Sequence, residues 1–213
     1  MIAFFLNACN SSRKQPSYEQ INKLVQLQKD CKTKADMYHY YKIDVHHFGF
    51  QPGQVIADIG AFDGIWDGIY SVFTDSLTFY IEDITDKGFS RCDSIMDYCA
   101  RLKGGNDHSK VQKVVGTETS TNLPPTLFDK VICNESFHHF SDPVPMLNDF
   151  KKILKPGGKL YIRDSLRKKD GKKQDHFHYS MEEMKTVLQQ NGFTILEDHS
   201  YTNMAFLVLE FKH

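Results

Sequence analysis

The sequence predicts a doubly wound α/β fold, a mostly parallel sheet of seven strands with helices on both faces. Three observations predict it. From residue 54 onward, short β-rich apolar runs alternate with helical patterns, the signature of strands joined by crossover helices. The first run, Val55-Ile56-Ala57-Asp58-Ile59, passes into a glycine-bearing turn, Gly60-Ala61-Phe62-Asp63-Gly64, directly before a helical pattern. The last two runs are separated only by His199–Met204, so they close as a hairpin and the final strand runs antiparallel.

The chain has 213 residues, 40% hydrophobic and 13% aromatic, enough for one well-buried core and too little for two. Residues 1–15 read as a leader and linker, 16–50 as an N-terminal helical cap and 51–213 as the α/β domain. The apolar start ends in Leu6-Asn7-Ala8-Cys9 and is similar to the end of a lipoprotein signal, but no positive segment precedes it. The reading is therefore a cytoplasmic protein, with a membrane anchor through Cys9 as the alternative. No run approaches the ~20 apolar residues of a transmembrane helix. The net charge of −1 and the lack of a basic stripe give no footprint for a nucleic-acid backbone. Five cysteines without a C-x-x-C pair indicate neither a zinc site nor a disulfide framework; Cys133 reads as a small buried hydrophobe.

In chain order, Tyr18 to about Lys34 has helical spacing, and Met37–Phe50 is dense in Tyr and His before the turn Gln51-Pro52-Gly53. Strands are expected at Gln54–Ile59, Thr78–Ile81, Val111–Val115, Lys130–Cys133, Lys159–Arg163, Thr194–Glu197 and Ala205–Phe211. Helices are expected at Ile65–Phe73, Arg91–Leu102, Pro145–Leu154 and Met181–Gln190. Lys155-Pro156-Gly157-Gly158 stops the third of these helices and turns the chain into the next strand.

The turn after the first strand can offer a ligand backbone N–H groups and the positive end of a helix dipole. Gly60 permits the turn and Gly64 lets the helix start close by. The second strand ends in Glu82-Asp83-Ile84-Thr85. A carboxylate there can accept both hydroxyls of a ribose; Asp83 is preferred, with Glu82 competing. Turn and acid together point to a nucleoside ligand.

The runs Val55–Gly64, Glu82-Asp83-Ile84, Phe128–Phe140 and Ile153–Leu160, the last containing Leu154-Lys155-Pro156-Gly157-Gly158, resemble in order and spacing the successive motifs of class I S-adenosylmethionine-dependent methyltransferases. The resemblance spans about residue 50 to the C-terminus and is greatest to the small-molecule and ubiquinone-type branches. It implies a Rossmann-like strand order 3-2-1-4-5-7-6 with strand 7 antiparallel, and S-adenosylmethionine as cofactor. It also implies a cofactor site formed by Asp58, Gly60, Ala61, Phe62, Gly64, Asp83, Ile84, Gly116, Thr117, Glu118 and Asn134. Phe62 stands where the family's second glycine is usual, although catechol O-methyltransferases resemble this chain in carrying an aromatic there. After the third strand the family commonly has an acid right after glycine to meet the adenine amine, where this chain reads Gly116-Thr117-Glu118; either Thr117 or Glu118 takes that role.

The acceptor is expected to be a small molecule. Candidate proton acceptors after the fourth strand are Glu135, His138 and His139; the two histidines cannot both point inward from one extended segment, and a packing role for the pair stands beside the catalytic one. His39, His46, His47, His176 and His178 supply pairs without an evident Asp/Glu partner set, so no metal site is expected. Two other functions share this architecture. One is a ligand-binding methyltransferase fold without turnover. The other is a nicotinamide-dependent oxidoreductase, which would require the G-x-G-x-x-G that residues 60–64 lack.

Overall fold

The computed structural model describes residues 31–105, 107–167, 179–201 and 203–212. The leader with Cys9, most of the helix read at Tyr18–Lys34, and the pair His176 and His178 lie outside the described residues.

The first helix, α1, spans Lys34–Phe48. Thr33 caps it: its hydroxyl accepts from the Asp36 N–H while the Asp36 carboxylate reaches back to the Thr33 N–H, so two otherwise unpaired donors are satisfied. Gly49 ends it at φ 51°, the left-handed conformation that favours glycine. The Tyr- and His-rich stretch from Met37 is thus helical. It shows little apolar periodicity because only Met37, Asp44 and Phe48 are buried.

Seven strands follow: β1 (Val55–Ile59), β2 (Thr78–Asp83), β3 (Lys110–Val115), β4 (Phe128–Asn134), β5 (Leu154–Ser165), β6 (Phe193–Tyr201) and β7 (Met204–Phe211). They form one sheet in the order β3-β2-β1-β4-β5-β7-β6, parallel except that β7 runs antiparallel to both β5 and β6. Helices α2 (Ile65–Ser71) and α3 (Phe89–Lys103) pack with α1 on one face, and α4 (Pro143–Ile153) and α5 (Met181–Gln190) on the other. The alternation of side chains along each strand divides the core: Ile56, Phe79 and Ile81 join the α1–α3 layer, whereas Ala57, Ile59 and Val131 join the α4–α5 layer.

Two stretches differ from the reading above. Leu154 already pairs with Phe128, and Pro156-Gly157-Gly158 is an irregularity inside β5. A Cβ on Gly158 would sit 2.8 Å from the Phe128 carbonyl oxygen, so the backbones touch and the glycine turn becomes a bulge. Strands β6 and β7 also extend into the polar segment taken as their connection. β6 is the sheet edge, where exposed residues such as His199 and Ser200 are tolerated.

Candidate functional site

The carboxyl ends of β1, β2 and β4 converge on the turn at residues 60–64. Gly60 (φ 74°) and Ala61 both donate their N–H to the Glu82 carbonyl at 2.9 Å. Phe62 then adopts φ 51°, a left-handed backbone that strains a residue with a Cβ. Its N–H donates to Asp83 Oδ2 at 3.1 Å, while Asp83 Oδ1 accepts from the Thr85 N–H at 3.1 Å. Asp83 therefore faces the turn and locks it. The Phe62 ring is 46% exposed and lies under the Arg91 guanidinium, 4.8 Å from its centroid, with Arg91 also paired to Asp63 at 2.9 Å. The crevice is not plugged by this side chain.

The glycines act through packing. A Cβ on Gly60 would lie 2.5 Å from Ser136 Cβ, and one on Gly64 would lie 3.2 Å from Cys92 Sγ. Gly60 thus lets the loop after β4 close against the turn, fixed by a 2.5 Å hydrogen bond from Ser136 Oγ to the Ile59 carbonyl. Gly64 lets α2 settle against α3. At Gly116 a Cβ would collide with Glu82 Oε1 at 1.8 Å.

Beneath the turn lies a floor of buried acids. Asp58 is 2% exposed and Asp67 fully buried. No other side chain of the described residues pairs with the Asp67 oxygens, and their neighbour is the Asp58 carboxylate. Burial and their mutual charge push Asp58 well above the carboxylate range, and burial pushes Asp67 up to about 7; two carboxylates this close share a proton. Glu82, with Oε1 unpartnered, is pushed to about 8 by burial and then by the charge of Asp83. Asp58 was expected at the cofactor site, but its partner Asp67 on α2 was missed because it reads as an ordinary first-turn helix acid.

Above the acids the rim is apolar. Phe62, Ile84 and Val115, at the carboxyl ends of β1, β2 and β3, are all substantially exposed. Thr117 is committed to its own turn: its hydroxyl accepts from the N–H groups of Thr119 and Ser120. Glu118 is exposed.

On the other side of the crevice, Arg163 from β5 organises the loop after β4. Its Nε donates to Asp44 of α1 at 2.7 Å, its Nη1 to Asn134 at 3.2 Å and to Glu135, and its guanidinium lies over Trp66 at 4.9 Å. Burial opposes the Arg163 charge, but Asp44, Tyr70 and Glu135 outweigh it and hold its pKa above the ordinary value. Asn134 also donates to the Tyr70 hydroxyl at 3.2 Å. Glu135 sits at φ 57°, a second strained residue at the crevice. Arg163 was missed, since nothing in its strand pattern separates it from a solvated edge residue.

His138 and His139 stand on a short 3₁₀ turn, Phe137–His139, rather than on an extended segment. His138 is buried, its N–H donating to Asp164 Oδ2 at 2.9 Å and its Nδ1 lying 2.5 Å from Asp164 Oδ1; His139 is exposed. Asp164 follows Arg163 on β5 and so points to the opposite, α4 face of the sheet. The structure thus gathers Glu135 and Asn134 with the glycine turn, and turns His138 toward the other layer.

The strand order with its antiparallel seventh strand, the strained turn at the end of β1 and the acid at the end of β2 define the fold of the class I S-adenosylmethionine-dependent methyltransferases. The model of a methyltransferase domain family matches residues 90–162, about a third of the chain, running from α3 to β5. A 42-residue stretch is 38% identical to an uncharacterized methyltransferase of Schizosaccharomyces pombe, covering 20% of this chain and 15% of that protein. Among solved structures, a SAM-dependent methyltransferase from Aquifex aeolicus superposes with a TM-score of 0.61 at 18% identity, over 83% of this chain and 96% of that one. One from Methanosarcina mazei gives 0.57 at 15% identity, over 79% and 98%. The [4+2]-cyclase SpnF gives 0.66 at 14% identity, over 82% and 80%. At these identities the structural likeness establishes the fold, and residues 90–162 match the model of a methyltransferase domain.

Proposed function

We propose that this chain binds S-adenosylmethionine in the crevice edged by the 60–64 turn and Asp83, and transfers its methyl group to a small-molecule acceptor. The observation that carries this reading is the pairing of a fixed, half-exposed carboxylate with an exposed apolar rim. Asp83 is held by two backbone N–H groups with lone pairs to spare for a ribose diol, and Phe62, Ile84 and Val115 offer a face to a nucleobase. Burial holds the acids of the floor, Asp58, Asp67 and Glu82, toward their protonated forms, and a ligand with cationic sulfonium and ammonium groups would draw them toward the ionised form.

The cofactor would supply a methyl group already activated by its sulfonium, so the protein's task is in-line positioning in a dry pocket. Asn134 and Glu135, anchored by Arg163, fix the wall of that pocket next to the turn, and Trp66 and Tyr41, in edge contact at 5.5 Å, form its apolar side beneath α1. A proton acceptor for a hydroxyl substrate is best sought in Glu135, the exposed carboxylate at the mouth. Among the described residues, no helix is long and apolar enough to cross a membrane. Transfer of labelled methyl from the cofactor into a panel of small hydroxy, amino and carbon acids tests the reading. Label in one acceptor class supports it. Cofactor binding with no transfer to any class favours a ligand-binding fold without turnover.

A further inference from the structure

Outside this crevice, the edge strand β6 contains a bulge with a specific consequence. Pairing with β7 shifts register between Ile195 and Glu197: Ile195 faces Leu209, but Glu197 faces Val208 and His199 faces Phe206. Leu209 belongs to the α4–α5 layer, whereas Val208 and Phe206 belong to the α1 layer. One extra residue therefore flips Glu197 and His199 onto the α1 face. Asp198 points the other way, to Lys185 of α5. His47, in the last turn of α1, comes down on that same face, its ring centroid 4.6 Å from those of both His199 and Phe206.

We propose that His47, Glu197 and His199 form a binding site for one divalent transition-metal cation of the zinc class. One ligand atom from each lies within 4.8 Å of the others, and His199 Nε2 is already 3.3 Å from Glu197 Oε2. Tetrahedral bonds of ~2.0–2.2 Å place ligand atoms about 3.3–3.6 Å apart, so small side-chain rotations complete the set. Two imidazoles and a carboxylate are ligands for zinc rather than for magnesium, which takes oxygen donors and keeps its waters. Glu197 and His199 are exposed, so water can fill the fourth position. The cation would clip α1 to the sheet edge, close to Asp44, which holds Arg163. Ring stacking among His47, Tyr201 and Phe206 accounts for His47 alone; it has no use for a carboxylate at residue 197.

Tag-free, chelator-washed full-length protein should bind one Zn²⁺ by calorimetry, with no heat from Mg²⁺, and its melting temperature should rise with Zn²⁺. His199→Gln and Glu197→Gln, both exposed and expected to keep the circular dichroism spectrum, should each weaken binding about 10–100-fold, the loss seen when even an outer-shell partner is removed. Both should also abolish the thermal shift. Absence of stoichiometric Zn²⁺ binding, or equal affinity in the wild type and both variants, would overturn the proposal, the latter by placing the metal on other histidines.

Discussion

Replacing Glu82 by glutamine should change how stability depends on pH. The side chain is 1% exposed, its Oε1 has no donor, and burial followed by the charge of Asp83 holds its pKa at about 8. In the unfolded chain it titrates near ~4.3. Between those values the folded state carries the extra proton, so stability is greatest below the unfolded pKa and is lost as pH rises toward 8. The slope is about −1.4 kcal/mol per pH unit, approaching about −5 kcal/mol over the whole window. Glu82→Gln removes this one proton and leaves that of Asp67 in place, so the difference between the two stability curves isolates Glu82. Lys130, lowered to about 8 by burial, acts above that pH with the opposite sign and cancels in the difference. Urea denaturation from about pH 5 to about pH 9 measures both curves. The variant should be the more stable protein at the alkaline end, and curves that stay parallel throughout would refute the buried, uncompensated acid.

Three further substitutions probe the crevice and the loop after β4. Phe62→Gly should be more stable than Phe62→Ala by about 1 kcal/mol, because only glycine relieves φ 51°; thermal melts of equal midpoint would contradict the strain. Arg163→Met strands Asp44, itself 8% exposed, and should cost about 3–5 kcal/mol, the loss typical when one partner of a buried ion pair is removed. Denaturant midpoints read it, and a change below ~1 kcal/mol would mean that water reaches the pair. Asp164→Ala leaves the His138 N–H and imidazole without their acceptor and should cost about 2–4 kcal/mol at two buried donors. If methyl transfer falls while the melting temperature holds, His138 acts on the acceptor instead of packing the loop.

The sheet was legible because its strands are short apolar runs punctuated by glycine and proline, and their alternation leaves few topologies. The order 3-2-1-4-5-7-6 came from the resemblance together with the closing hairpin, and every strand stands where it was expected to within a few residues, apart from the early start of β5 and the C-terminal extension of β6. Helix α1 lies inside the segment read as a helical cap, but its bounds were hidden by its composition, since residues 38–43 carry four aromatics or histidines on a largely exposed helix. Of the crevice, the turn and Asp83 could be read from order and spacing. Asp67, Arg163 and the His47–Glu197–His199 group could not, for each acquires meaning only from a partner distant in sequence. The bulge that re-aims Glu197 is likewise invisible in a strand pattern judged by strict alternation.

Calorimetric titration of the chain with S-adenosylmethionine, alongside NAD and the Asp83→Ala variant, tests the central claim most directly. The account predicts single-site binding of S-adenosylmethionine and none of NAD. It predicts a loss of about 1–3 kcal/mol in the variant, toward the upper end because the carboxylate also anchors the Phe62 and Thr85 amides. Binding of NAD alone, or an affinity for S-adenosylmethionine unchanged by removing the Asp83 carboxylate, would contradict it.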